Sequence, residues 1–72
     1  MSAESLREAE HRGAAYLAAA GREEAAQTAR LLLCHVLGFN FTDYVLARED
    51  LLSSRDASRY AELLTRRASG VP

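Results

Sequence analysis

The chain has 72 residues, 49% of them hydrophobic and 26% charged, with a formal net charge of −1. These values describe one small soluble globular domain and exclude a disordered chain. They also exclude a large enzyme, because a chain this short has no room for both a cofactor-binding sheet and a substrate pocket. Near-neutral charge supplies neither the basic stripe that duplex nucleic acid needs nor a polybasic membrane anchor.

Alanine occurs 14 times and leucine 11 times, valine only three times, and isoleucine, lysine and tryptophan are absent. Strong helix formers therefore dominate and β-branched residues are scarce, which predicts an all-α domain. One cysteine, Cys34, excludes an internal disulfide and a cysteine-based zinc site and suits a reduced, cytoplasmic setting. The amino terminus alternates charges and is no signal peptide, and no apolar run, Leu31 to Cys34 included, approaches the length of a membrane span.

The first helix is predicted from Ala3 to Ala20, capped by Ser2, with Ser5 and Glu8 offering an alternative capping-box start. Leu6, Ala9, Gly13, Tyr16, Leu17 and Ala20 share an inner face; Glu4, Arg7, Glu8, His11 and Arg12 lie outside, with Glu8 spaced to pair with Arg12. Gly21 is a natural left-handed stop. Gly13, inside the helix, costs about 1 kcal/mol relative to alanine, which close approach of a neighbouring helix would offset.

The second helix is predicted from Glu23 to Leu37, with Glu23 and Glu24 in its first turn and Gly38 as its stop. Ala25, Ala26, Ala29, Leu32, Leu33, Val36 and Leu37 form its main buried face, while Leu31 and Cys34 point elsewhere, so this helix is expected to be central. A short helix follows from Thr42 to Leu46, capped by Asn40 or Thr42, with Phe39, Phe41, Tyr44 and Val45 plugging one end of the core. Arg48 to Leu52 is a connector with room for one helical turn. The last helix begins at Ser53, where Ser53 with Asp56 matches a capping box and Leu52 with Ala57 a hydrophobic staple. Its inner stripe is Ala57, Tyr60, Ala61, Leu64 and Ala68; its outer stripe is Arg55, Arg59, Glu62 and Arg66. Gly70 ends it and Pro72 forbids continuation. The expected fold is an all-α bundle of four main helices, with space for a fifth short one, in a single domain over residues 1–72.

Little in this pattern performs chemistry. The four glycines are isolated from each other, so no phosphate-cradling loop or strand-glycine-helix unit for a dinucleotide or adenosyl cofactor exists. Cys34 and His35 are adjacent, so their side chains diverge by about 100° and cannot act as nucleophile and base. Cys34 reads as a small buried hydrophobe, His35 as a partly buried, hydrogen-bonded histidine and His11 as a solvated one. The pairs Glu8/Glu10, Glu23/Glu24 and Glu49/Asp50 sit among arginines and read as solvated charge rather than as an acid–base dyad. A helix-turn-helix built on the short helix fails because Thr42 to Leu46 contains Asp43 and almost no donors, so no direct DNA binding is expected. From Arg55 onward, Arg55, Arg59, Arg66 and Arg67 outnumber Asp56 and Glu62, a local excess of positive charge suited to an acidic partner or to RNA. The alternative is an exposed face with Glu62–Arg66 pairing.

Two segments, AGREEAAQTARLLLCHVLGFNFTDYVL and LLSSRDASRYAELLTRRASGVP, together resemble the N-terminal helical domain of the HemK/PrmC family, the peptide chain release factor glutamine methyltransferases. The resemblance is carried by Ala29 with Leu32 and Leu33, by His35-Val36-Leu37-Gly38, by Leu52-Ser53, and by the closing Arg67-Ala68-Ser69-Gly70-Val71-Pro72. That last element looks like the family's Arg-x-x-Gly-x-Pro junction, where the bundle hands over to the catalytic domain, so Arg67, Gly70 and Pro72 are the expected domain junction. Phe41 stands where the family often carries an arginine, and the family's cofactor-binding glycine motif and Asn-Pro-Pro-Tyr motif are expected only after residue 72. The resemblance implies a cytoplasmic parent enzyme that uses S-adenosylmethionine, held in that following domain, to methylate the glutamine amide of the Gly-Gly-Gln loop of a bacterial release factor. This segment would bind the release factor and its own catalytic domain, with no catalytic, cofactor or metal residues of its own. Arg55, Arg59 and Arg66 are the candidate partner contacts. A stand-alone helical adaptor, an RNA-binding module and a sister methyltransferase acting on a ribosomal protein are the rival readings.

Overall fold

The computed structural model describes residues 3–70. Four helices form in order: α1 (Leu6–Ala19), α2 (Ala25–Leu37), α3 (Phe41–Ala47) and α4 (Ser54–Ala68). The all-α bundle expected from composition is the observed fold. The connector after α3 makes no fifth helix: a turn closed by the Asp50 N–H donating to Ala47 O at 2.8 Å leads into extended chain.

Helix α1 starts at the second of the two predicted caps. Ser5 Oγ accepts from the Glu8 N–H at 3.1 Å, and the Ser5 N–H donates to Glu8 Oε1 at 2.8 Å. Ser2 lies outside the described residues. The first turn of a helix has orphan N–H groups, and here the α3–α4 connector accepts two of them. Leu6 N–H donates to Asp50 O and Arg7 N–H to Arg48 O, both at 2.9 Å. Leu52 N–H returns a bond to Glu4 O at 2.9 Å, so Ser5 and Leu51 form an antiparallel bridge. This clip holds Glu4 and Ser5 outside the helix, which therefore does not begin at Ala3.

Helix α2 begins two residues later than predicted. Glu24 takes a left-handed conformation (φ 53°) before the first turn and makes no side-chain cap. Gly38 ends α2 with φ 70°, a conformation that costs glycine nothing. Asn40 and Asp43 make a reciprocal capping box on α3. On α4 only half of the predicted box forms: Ser53 Oγ accepts from the Asp56 N–H at 3.1 Å.

Leu6, Ala9, Leu17, Ala29, Leu33, Val36, Tyr44, Leu52, Tyr60 and Leu64 make the core. Leu32 and Leu37, expected there, are half-buried against it. The close approach anticipated at Gly13 is present. The Tyr60 ring and Leu64 lie against the bare Cα, and Tyr60 Oη donates to Ala29 O at 3.1 Å, tying α4 across α1 to α2. Tyr16, Ala20, Ala26 and Ala61, assigned to inner faces by spacing, are exposed, because four helices in so small a bundle bury only a narrow stripe on each. Leu31 is also exposed, so the neighbours of α2, namely α1 and α4, do not cover its second apolar side.

Candidate functional site

The outer stripe of α4 forms as predicted. At about 100° per residue, Arg55, Arg59, Glu62 and Arg66 fall within roughly 60° of arc, and from Arg55 to Arg66 they extend for about 16 Å. All four are exposed, and none makes an ion pair with a described residue. The alternative reading's Glu62–Arg66 pair does not form. Arg66 and Arg67 also sit in the last turn, where positive charge complements the helix dipole.

At the end of α4, Arg22 reaches from the α1–α2 loop and donates to Ala68 O from Nη2 at 3.1 Å and Nε at 3.3 Å. Gly70 follows with φ 85°, and a Cβ there would stand 3.2 Å from Arg22 Nη2. Glycine is favoured at this position by its left-handed conformation. Of the predicted junction residues, Arg67 is exposed and Gly70 turns the chain beneath Arg22; Pro72 lies outside the described residues.

A second surface was not anticipated. A cleft of 270 Å³ opens between α1, α2 and α3. Phe41, Tyr44, Val45 and Arg48 line it at helical spacing from α3, opposite Arg7, Glu10 and His11 of α1 and Arg30 of α2. Phe41 and Val45, expected to plug the core, are instead 60% and 41% exposed. Only Tyr44 of that stripe is buried; Phe39 is half-buried. Tyr44 Oη donates to Glu10 Oε1 at 2.5 Å, and burial, reinforced by this bond, lifts the Tyr44 phenol well above its ordinary range. Arg30 holds its guanidinium 5.1 Å above the Phe41 ring, a cation–π pair. Arg7 Nε meets Glu49 Oε1 at 2.8 Å. The usable signal was the i, i+3, i+4, i+7 stripe ending in Arg48, in which an arginine joins an otherwise apolar face.

The expected Glu8–Arg12 pair does not form: Glu8 is engaged in the Ser5 capping box, and Arg12 Nη2 instead meets Glu4 Oε1 at 2.6 Å. His35 is exposed rather than partly buried, since its position on α2 faces away from α1 and α4. Cys34 is half-buried, and burial pushes its thiol up, away from a reactive thiolate. No group of three or more His, Cys, Asp or Glu among the described residues could hold a metal ion. No described helix is long and apolar enough to cross a membrane. The described residues also do not fit an adenosyl cofactor: Gly21, Gly38 and Gly70 each follow a helix end, and Gly13 is covered by Tyr60.

Residues 8–72 match the family described as the PrmC N-terminal domain. The chain belongs to this family. It is also similar to the release factor glutamine methyltransferase of Agrobacterium fabrum, with 39% identity over 56 residues. That alignment covers 78% of this chain and 19% of the relative, so the chain spans only a small part of the length of the protein it matches. No solved structure matches it. Membership in the PrmC N-terminal domain family agrees with the resemblance carried by the α2 segment and the Arg67–Pro72 element.

Proposed function

We propose that this domain is the substrate-recognition part of a protein-glutamine methyltransferase and that it binds a bacterial peptide chain release factor. The observation that carries this reading is the family match over residues 8–72, together with a relative named for release factor glutamine methylation. In this reading a catalytic domain follows Pro72 and holds S-adenosylmethionine, while the bundle holds the protein substrate. The reaction belongs to the cytoplasm, where release factors act on the ribosome. The isolated segment is expected to have no methyltransferase activity.

The division of labour has a physical basis. A side-chain amide on a protein loop is a small target, and its own contacts orient it poorly. Binding energy gathered on a remote rigid surface fixes the loop relative to the methyl donor and lowers the entropic part of the barrier. The α4 stripe is suited to such remote binding, because Arg55, Arg59 and Arg66 are exposed, unpaired among the described residues, and project from a helix fixed by Tyr60 and Leu64. Arg22, by holding Ala68 O, anchors the end of α4 to the α1–α2 loop.

Isothermal titration of a bacterial release factor into the chain tests the reading. Binding is expected to weaken about tenfold or more when Arg55, Arg59 and Arg66 are all changed to glutamate, and to weaken with added salt. Absence of binding by the wild-type chain, or preferential binding of a ribosomal protein, would overturn it.

A further inference from the structure

We propose that the α1–α2–α3 cleft is a second docking site, which takes an acidic side chain and an adjacent apolar one from the release factor. This rests on the proposed function for the identity of the partner and on the cleft itself for the chemistry.

The lining carries three arginines, Arg7, Arg30 and Arg48, against one carboxylate, Glu10. That carboxylate is already engaged by the Tyr44 hydroxyl, and Glu49 outside the cleft is engaged by Arg7. Arg30 and Arg48 make no ion pair with a described residue. The Arg30 guanidinium lies over the Phe41 ring, and no described carboxylate occupies its N–H donors. Guanidinium donors held in this way are matched to a carboxylate and lose little freedom on binding it. Between the arginines, Phe41 and Val45 supply an exposed apolar floor. A surface of this composition is complementary to a negative charge beside a hydrophobic group.

RNA is the less favoured occupant. Base stacking needs a free aromatic face, and Arg30 already covers one face of Phe41. The positive charge is also local, in a chain of net charge −1. The cleft is separate from the α4 stripe. Arg7, Glu10 and His11 lie on one flank of α1, whereas Arg12 and Tyr16, which line the groove shared with Ala61 and Leu64 of α4, lie on roughly the opposite flank.

The test uses two exposed positions, Arg48→Glu and Phe41→Ala, with Arg48→Lys as the conservative variant. Each is titrated with release factor and, separately, with a single-stranded RNA oligonucleotide, after melting curves establish folding. The expected result is that Arg48→Glu and Phe41→Ala each weaken release-factor binding by about five- to tenfold and that Arg48→Lys, which keeps the charge without the planar fork, weakens it less than Arg48→Glu. If Phe41→Ala fails to fold, Arg48→Glu alone decides. Wild-type binding with unchanged affinity in the cleft variants would overturn this inference and leave the proposed function standing. No wild-type binding would overturn both. Loss of RNA binding alone in the variants would assign the cleft to RNA and refute the proposal.

Discussion

Gly13 is the position where a single carbon tests the packing most directly. In an exposed helix interior, Gly→Ala gains about 1 kcal/mol. Here an added Cβ would fall on the Tyr60 hydroxyl, 3.0 Å from Tyr60 Cζ and 3.3 Å from Leu64 Cδ1. Tyr60 is fully buried and its hydroxyl is committed to Ala29 O, so the ring cannot step aside without breaking that bond. Overpacking costs about 1–3 kcal/mol, and a buried hydroxyl deprived of its acceptor about 1–3 kcal/mol more. After the helix-propensity gain, Gly13→Ala is expected to destabilise the domain by about 3 kcal/mol, a fall in Tm of roughly 12–24 °C for a domain this size. The decisive assay is a double-mutant cycle followed by circular dichroism. Tyr60→Phe alone loses about 1 kcal/mol with its hydrogen bond, but it removes the atom that collides most severely. In that background Gly13→Ala is expected to be nearly neutral, giving a coupling of about 2–3 kcal/mol. Equal losses in both backgrounds, or a rise in Tm on Gly13→Ala alone, would refute this account of how α1, α2 and α4 lock together.

Three further outcomes are expected. Leu33 is completely buried, so Leu33→Ala is expected to cost about 2–5 kcal/mol, and an unchanged melt would contradict its place in the core. The backbone N–H and hydroxyl of Ser5 hold the Glu8 carboxyl below its ordinary value of 4.5; a carboxylate depressed on folding stabilises above its unfolded pKa and loses that contribution as pH falls through the lower folded one. Urea midpoints of the wild type should thus drop below about pH 4.5 more steeply than those of Glu8→Gln, and parallel profiles would argue against the box. Arg22→Ala removes both bonds to Ala68 O and is expected to speed amide exchange at Ser69 while leaving exchange at Leu33 unchanged; uniform acceleration would mean global destabilisation instead.

Local order was largely legible from the residues. Gly21, Gly38 and Gly70 stop helices, Asn40 and Ser53 start them, and Leu33, Tyr60 and Leu64 form core, because capping and helical periodicity act within four residues. The outer arginine stripe of α4 was legible for the same reason. The cleft was not: an i, i+3, i+4 stripe such as Phe41, Tyr44 and Val45 reads as core unless one knows that no element covers it.

Composition, spacing and the motifs around α2 and Arg67–Pro72 determined by themselves that this chain is an all-α domain of the PrmC N-terminal family. Tertiary structure alone decided that residues 4–7 pair with the connector before α4, that Arg7 reaches Glu49 and Arg12 reaches Glu4, and that Arg22 closes the end of α4. It also decided that Phe41 stays open under Arg30. Most of these contacts join groups far apart along the chain, and each guanidinium had several carboxylates or carbonyls of similar intrinsic affinity to choose from. The packing of the helices fixed which one lies within about 3 Å, and hydrogen-bond energy falls too steeply with distance for any other to compete.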